Sequence, residues 1–324
     1  MASGSTSKHF SISGKTAIVT GAGSGINFYF AKLLLSKGCN VVIADIGLRP
    51  EAEVLVSEHS GLQASPRALF AKTDVASWPD LTRMFEVTVA EFGGFDIVCP
   101  GAGVYEPHWS NFWHPPGSAE SKDSTEAGRY AQLDINLTHP IRTTQLALQH
   151  WLYPPETENK VTPAAASTDN LKRVILISSV AGQLPVFSTP LYGASKYAIS
   201  GFTRCLAHLE PTMGVRVNAV APGIVKTPLW TEHPEKLVKI DQDKDGWVTP
   251  EEVASAMLDC VESETHVGGT VLEIGKNYTR QVQVLNDPGP DLTPGAGVKT
   301  SNSEEGNRMV FGWLGDESIW SVHK

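Results

Sequence analysis

Tyr192 and Lys196 stand four residues apart in Tyr192-Gly193-Ala194-Ser195-Lys196, and Ser179 lies 13 residues before the tyrosine. A four-residue separation puts a phenol and an ammonium on one face of a helix. A phenol with an ordinary pKa of about 10 transfers protons poorly at neutral pH, but a neighbouring cation favours its phenolate form. A tyrosine so placed can exchange a proton with a substrate hydroxyl. Ser179 follows the apolar run Val174–Ile177, where its hydroxyl either holds the substrate oxygen or closes a strand-end turn.

A second group of residues suits a phosphate. Thr20-Gly21-Ala22-Gly23-Ser24-Gly25-Ile26 follows the β-branched run 15–20 and opens a segment, INFYFAKLLLSKG, with helical apolar spacing. Strand, glycine turn and helix in that order let backbone N–H groups approach a dinucleotide pyrophosphate at the helix amino terminus. Asp45 ends the next apolar run, Val41–Ala44. A carboxylate there accepts hydrogen bonds from the ribose hydroxyls of NAD and repels the extra phosphate of NADP, so the expected cofactor is NAD rather than NADP. Arg49 works against that preference.

The elements that must position these groups follow from periodicity. Further strands are expected at 68–72, 95–99, 174–177, 216–220 and 270–274, and helices at 80–92, 191–209 and 250–261. Continuous apolar strands alternating with amphipathic helices mean a parallel sheet covered on both faces. The expected fold is α/β, a doubly wound parallel sheet of Rossmann type. One catalytic domain spans 12–275, after a polar tail at 1–11. Pro-, Ser- and Thr-rich insertions interrupt it at 105–129 and 151–171, and a lid is expected at 228–249. Residues 276–324 form an extension whose apolar Met309, Phe311, Trp313 and Trp320 are suited to cover this chain's site or a neighbour's.

Composition narrows the partners. A net charge of −9 argues against nucleic acid. No run reaches the roughly 18 apolar residues needed to span a bilayer, and the amino terminus lacks the apolar core of a secretory signal. Cys39, Cys99, Cys205 and Cys260 have no metal-ligand spacing; each reads as a buried free thiol, and a cytoplasmic location is expected.

Taken together, TGAGSGI, Asp74-Val75, Asn136 in DINL, Ser179 in ISS, YGASK and Pro222-Gly223-Ile224-Val225-Lys226-Thr227 resemble the short-chain dehydrogenase/reductase family over roughly residues 12–275. The resemblance implies a general acid/base in Tyr192 and a substrate hydrogen bond from Ser179. It gives Lys196 to the nicotinamide ribose and to lowering the tyrosine pKa, and Asn136 to a water relay toward Lys196. It also implies cofactor contacts at Gly21, Gly23, Ser24, Gly25, Ile26, Asn27 and Asp45, at Asp74 and Val75 for the adenine end, at Gly101, Ala102 and Gly103, and at Pro222, Gly223, Val225 and Thr227 for the nicotinamide. Two departures bear on cofactor affinity. Asn27 stands where the family has a third glycine, and Pro100-Gly101-Ala102-Gly103 replaces the usual Asn-Asn-Ala-Gly.

The family layout places Tyr105, Trp109, Leu184, Phe187 and Trp230 around the substrate, an apolar aromatic wall suited to a bulky lipophilic alcohol or ketone; these aromatics could equally pack the insertion onto the body. His114 and His139 are candidate polar contacts, or surface and capping residues. The pattern is similar to hydroxyprostaglandin- and hydroxysteroid-type and fungal polyketide-alcohol dehydrogenases, and implies a homodimer or homotetramer. The expected reaction is NAD-linked oxidation of a secondary alcohol; the alternatives are a catalytically weak NAD-binding scaffold or sensor, and a calcium-modulated enzyme. The last arises from DQDKDGWVTPEE, whose Asp241, Asp243, Asp245, Trp247 and Glu252 match an EF-hand loop. Thr249-Pro250-Glu251-Glu252 is also a helix start with a capping box, which gives Glu252 a structural task. No metal is therefore assigned, and the stretch reads as the acidic hinge of a lid.

Overall fold

Four of the five residues in 68–72 and all of 16–20 are apolar or threonine, and such runs can be satisfied only where both faces of a sheet are covered. In the computed structural model they become β3 (Ala68–Lys72) and β1 (Thr16–Thr20), joined by β2 (Asn40–Asp45), β4 (Ile97–Cys99), β5 (Lys172–Ile177), β6 (Val215–Pro222), β7 (Val271–Gly275) and β8 (Tyr278–Gln281). The structure describes residues 10–61, 64–155, 162–233, 237, 246–284, 308, 311–312 and 314–317. The strands form one sheet in the order β3-β2-β1-β4-β5-β6-β7-β8, parallel except for β8. Chain order reverses between β1 and β4, and Val19 pairs with Ile43 on one side and Cys99 on the other.

The helices are α1 (Gly25–Ser36), α2 (Pro50–His59), α3 (Trp78–Phe92), α4 (Ala131–Leu133), α5 (His139–Leu152), α6 (Pro190–Cys205), α7 (Leu209–Met213), α8 (Pro228–Thr231) and α9 (Pro250–Glu262). They cover both faces of the sheet and divide the core in two. One half holds α1 and α9 with Phe30, Leu34 and Met257; the other holds α3 and α5 with Phe85, Leu146 and Trp151. Among the described residues no helix is long and apolar enough to cross a membrane.

Two features depart from the sequence reading and a third adds to it. The sheet continues past residue 275, because Asn277 takes a left-handed φ of 63° and turns the chain back as β8. Its residues are all exposed and so carry no hydrophobic pattern; Glu273 holds the strand through the Tyr278 hydroxyl at 2.9 Å and the Arg280 guanidinium. Asn136 lies in a π-helical turn, Asp134–Thr138, between α4 and α5, a local geometry that the sequence pattern does not announce. Cys205 is exposed at the end of α6, whereas Cys39, Cys99 and Cys260 are buried and all four are free thiols.

The insertion at 105–129 has no regular element yet is held tightly. Asp123 accepts from Ser110 Oγ at 2.8 Å and from Ala131 N at 2.9 Å. Of the C-terminal extension, Phe311 and Leu314 pack on the core, and the Tyr153 hydroxyl donates to Leu314 O at 2.9 Å. Tyr153 closes the carboxyl end of α5, the opposite end from Asn136, so this part of the extension lies away from Asn136. Met309, Trp313 and Trp320 lie outside the described residues, as do Asp241, Asp243 and Asp245. Thr249 and Glu252 form the capping box of α9, with Thr249 N donating to Glu252 Oε2 at 2.7 Å and Asn277 N to Oε1 at 3.3 Å.

Candidate active site

Parallel strands end together, so β1, β2, β4, β5 and β6 deliver their carboxyl termini to one crevice at the point where strand order reverses. A cavity of about 530 Å3 occupies it. The glycine turn lines one end of it. Gly21 has a φ of 70°, and a Cβ there would fall 2.7 Å from Ala102 Cα; at Gly23 a Cβ would lie 2.3 Å from Gly47 O. Both positions therefore require glycine. Ser24, Gly25, Ile26 and Asn27 open α1 along the cavity wall, and no acidic residue or capping side chain competes for the first N–H groups of that helix. Such a helix end suits a pyrophosphate.

Beyond the glycine turn, Asp45 Oδ2 accepts from Gly23 N at 2.8 Å and Oδ1 from Gly47 N at 3.4 Å, fixing the carboxylate at the cavity rim. Ile46, Asp74 and Val75 line the same end. Arg49, the residue set against Asp45 in the sequence, forms a bidentate ion pair with Glu232 just after α8, Nη1 to Oε1 at 2.7 Å with a second contact from Nη2 to Oε2.

The chemical groups gather at the other end. Tyr192 stands in the first turn of α6 and Lys196 one turn later, both lining the cavity. Burial pushes the Tyr192 phenol up to about 12, against a hydrogen bond with Ser179 that pulls it down. Lys196 Nζ donates to Ile177 O at 2.8 Å and lies 5.4 Å from the Tyr192 ring centre. Burial lowers its pKa to about 8. Ser179, at the end of β5, accepts from Ala181 N at 3.2 Å and approaches Pro222 O at 3.4 Å. Serine, tyrosine and lysine thus meet as their spacing implies.

Asn136 contributes differently. Its Oδ1 accepts from Val104 N at 2.8 Å and its Nδ2 donates to Val104 O at 2.7 Å, so the side chain is committed to the loop after β4. His139 is buried, neither a surface residue nor a cavity-lining one. Its ring bonds Ile135 O and Thr20 Oγ1, each at 3.0 Å, and burial lowers its pKa to about 4. Thr20 Oγ1 in turn accepts from Ala102 N at 3.2 Å. A neutral imidazole therefore ties α5 to the ends of β1 and β4.

Asn27 and Gly101, one residue from each of the two departures from the family pattern, share one space. Asn27 is buried, and a Cβ on Gly101 would lie 2.3 Å from its Oδ1. The amide carried by α1 fills the space that a side chain at 101 would need. Gly101→Asn alone is expected to cost about 1–3 kcal/mol by overpacking, and Asn27→Gly with Gly101→Asn to recover most of it. Denaturant unfolding of the two variants measures this, and a double variant no better than the single would refute the pairing.

Tyr105 packs edge-on to Tyr192 with ring centres 4.8 Å apart, and it also meets the Trp230 ring, tilted, at 4.9 Å. Trp109 lines the main cavity. Leu184 and Phe187 are exposed, Phe187 by 83%, although Phe187 meets the Trp113 ring at 4.9 Å. Gly103 and Thr227 line the cavity. Pro222, Gly223 and Val225 do not; they secure the loop behind it, with Gly223 N donating to Ile274 O at 2.9 Å and Val225 bridged to Val248. Ile46, Val104, Ile135 and Glu106 escaped the sequence reading. The first three are ordinary apolar residues, and Glu106 is a charged residue in an insertion, which reads as solvated; none carries a distinguishing signal.

Comparison with known proteins agrees with this geometry. A family model described as short chain dehydrogenase matches residues 15–237. The chain is 31% identical over 278 residues to 15-hydroxyprostaglandin dehydrogenase [NAD(+)] of Homo sapiens, covering 81% of this chain and 91% of that enzyme. It is 29% identical over 271 residues to cis-4-hydroxycyclohexanecarboxylate dehydrogenase of Sinomonas cyclohexanicum, covering 82% and 96%. Among solved structures, 3-ketoacyl-(acyl-carrier-protein) reductase from Brucella melitensis complexed with NADH superposes with a TM-score of 0.62 at 25% identity, covering 82% of this chain and 98% of that one. With matching motifs, topology and relatives, the chain belongs to the short-chain dehydrogenase family.

Proposed function

We propose that the protein oxidises a bulky lipophilic secondary alcohol to its ketone with NAD. The observation that carries the reading is the contact row Tyr192–Tyr105–Trp230, which sets a proton-transferring phenol against an apolar aromatic wall. An alcohol seated there would direct its hydroxyl to Ser179 and Tyr192 and its apolar body toward Tyr105, Trp109 and Trp230. Bound NAD supplies the hydride acceptor. Tyr192 takes the hydroxyl proton, Ser179 Oγ orients the oxygen, and Lys196 favours the phenolate and holds the ribose. The Asn136 amide is committed to Val104, so its part in a water relay toward Lys196 falls to its backbone carbonyl. Relatives named for hydroxyprostaglandin and hydroxycyclohexanecarboxylate, both hydroxy compounds, support the oxidation of an alcohol.

The preference for NAD rests on Asp45 and on Arg49. The guanidinium that would greet a ribose phosphate is already paired with Glu232. Asp45→Ala should lower kcat/KM with NAD by roughly tenfold to a hundredfold, the value of hydrogen bonds to a charged group, and raise it with NADP. The reading is tested by following reduction of NAD and NADP against secondary alcohols graded in size and polarity. Turnover of bulky apolar alcohols with NAD is the expected result; turnover confined to small polar alcohols would overturn the substrate class, and wild-type preference for NADP would overturn the role of Asp45.

A further inference from the structure

Three metal-ligating side chains converge in the 105–129 insertion, outside the catalytic group. His108 Nδ1 lies 3.1 Å and His114 Nδ1 3.6 Å from the same oxygen, Glu120 Oε2, and the three donors lie within 4.8 Å of one another. A tetrahedral zinc ion bonded at about 2.0–2.2 Å holds its donors roughly 3.3–3.5 Å apart. Two imidazoles and one carboxylate form a donor set for a borderline divalent ion, and leave a coordination position for water. We infer that His108, His114 and Glu120 form a zinc-class metal site on the insertion.

The ligands sit on two arms of the insertion that the fold already holds in register. Lys122 N donates to Trp109 O at 2.8 Å, joining the arm of His108 to that of Glu120, and Asn111 bridges to His114. Asn111 Nδ2 is anchored to Glu106 O at 3.1 Å and Ser110 to Asp123 at 2.8 Å. The cluster is thus preorganised, which reduces the cost of gathering three ligands. His114 Nδ1 also lies 3.3 Å from His108 O, a long contact that coordination would replace. His108 and His114 border a cavity of about 470 Å3 shared with His233. Trp109 lies between this cavity and the main one. A bound ion would cross-link the arms that carry Trp109 and Trp113 at the mouth of the crevice.

The test uses the chelator-treated full chain and needs no catalytic assay, so it stands whether or not the proposed reaction is correct. Zinc chloride titrated by calorimetry should give one saturating equivalent, and cobalt chloride should give visible absorption of a four- or five-coordinate ion. His108→Ala with His114→Ala should abolish both signals, and Glu120→Gln should weaken zinc binding. The two histidines are outside the core, so the double variant should keep the thermal unfolding of the ion-free protein; if it does not, Glu120→Gln alone decides. No saturating equivalent in the unaltered protein, or one that survives the histidine and glutamate changes, would overturn the site.

Discussion

Tyr192→Phe is expected to lower kcat by between about a hundredfold and ten-thousandfold, the range contributed by a positioned proton-transfer group, while NAD still binds. The substitution removes one oxygen and leaves the ring that packs on Tyr105. The pH profile carries the sharper test. Burial pushes the phenol up to about 12, so without help it holds its proton at neutral pH. That form is ready to donate to a ketone, but alcohol oxidation needs the phenolate. The oxidation rate should therefore climb with pH as the proton leaves Tyr192, with the limb starting well below 12 once the nicotinamide cation and Lys196 stand beside the phenol. Lys196→Met should move the limb to higher pH, because it removes one of those two positive charges. A Tyr192→Phe enzyme with kcat and pH limb unchanged would exclude Tyr192 as the acid/base.

How much of this site could be read in advance depends on the range of the interactions involved. Tyr192, Lys196 and Ser179 were legible because helix pitch and a strand end fix their relation locally, within 18 residues. Gly21 and Gly23 were legible because a turn between strand and helix must be tight. The same reading could not see that Asn27 and Gly101 share one space, since 74 residues separate them and only the sheet brings α1 beside the end of β4. It also placed Arg49 as a rival to Asp45, whereas the fold pairs it with Glu232, far along the chain. The edge strand β8 gave no pattern because an exposed strand buries nothing. The acidic run at 241–252 shows how a local motif can have two meanings: Glu252 completes a calcium-loop pattern and also caps α9, and the structure shows the second use.

Glu106→Ala is expected to lower kcat by about tenfold to a hundredfold, through loss of the bond that its carboxylate accepts from the Tyr192 backbone N–H. The residue is 4% exposed and has a left-handed φ of 31°. Its Oε2 accepts from Tyr192 N at 2.8 Å and its Oε1 from Phe112 N at 3.2 Å. Tyr192 is the third residue of α6, and the N-cap residue Thr189 supplies no side-chain bond to that end. A carboxylate from the insertion therefore does what an N-cap normally does, and it faces the positive end of the helix dipole. Losing it leaves the Tyr192 N–H without its acceptor and removes one of the ties between the insertion and α6. The cost in stability should be about 1–3 kcal/mol. Glu106→Gln should fall between, because an amide oxygen can still accept from Tyr192 N while its NH2 cannot accept from Phe112 N. The alternative is a residue that merely stabilises the fold, and kinetics well below the unfolding temperature separate the two. A positioning residue lowers kcat with NAD affinity preserved, since the glycine turn and Asp45 lie at the far end of the cavity. If the folded alanine variant kept the kcat of the unaltered protein, Glu106 would be a structural cap and nothing more. A fall in kcat would mean that the insertion, which shapes the aromatic wall, also sets the position of the catalytic tyrosine.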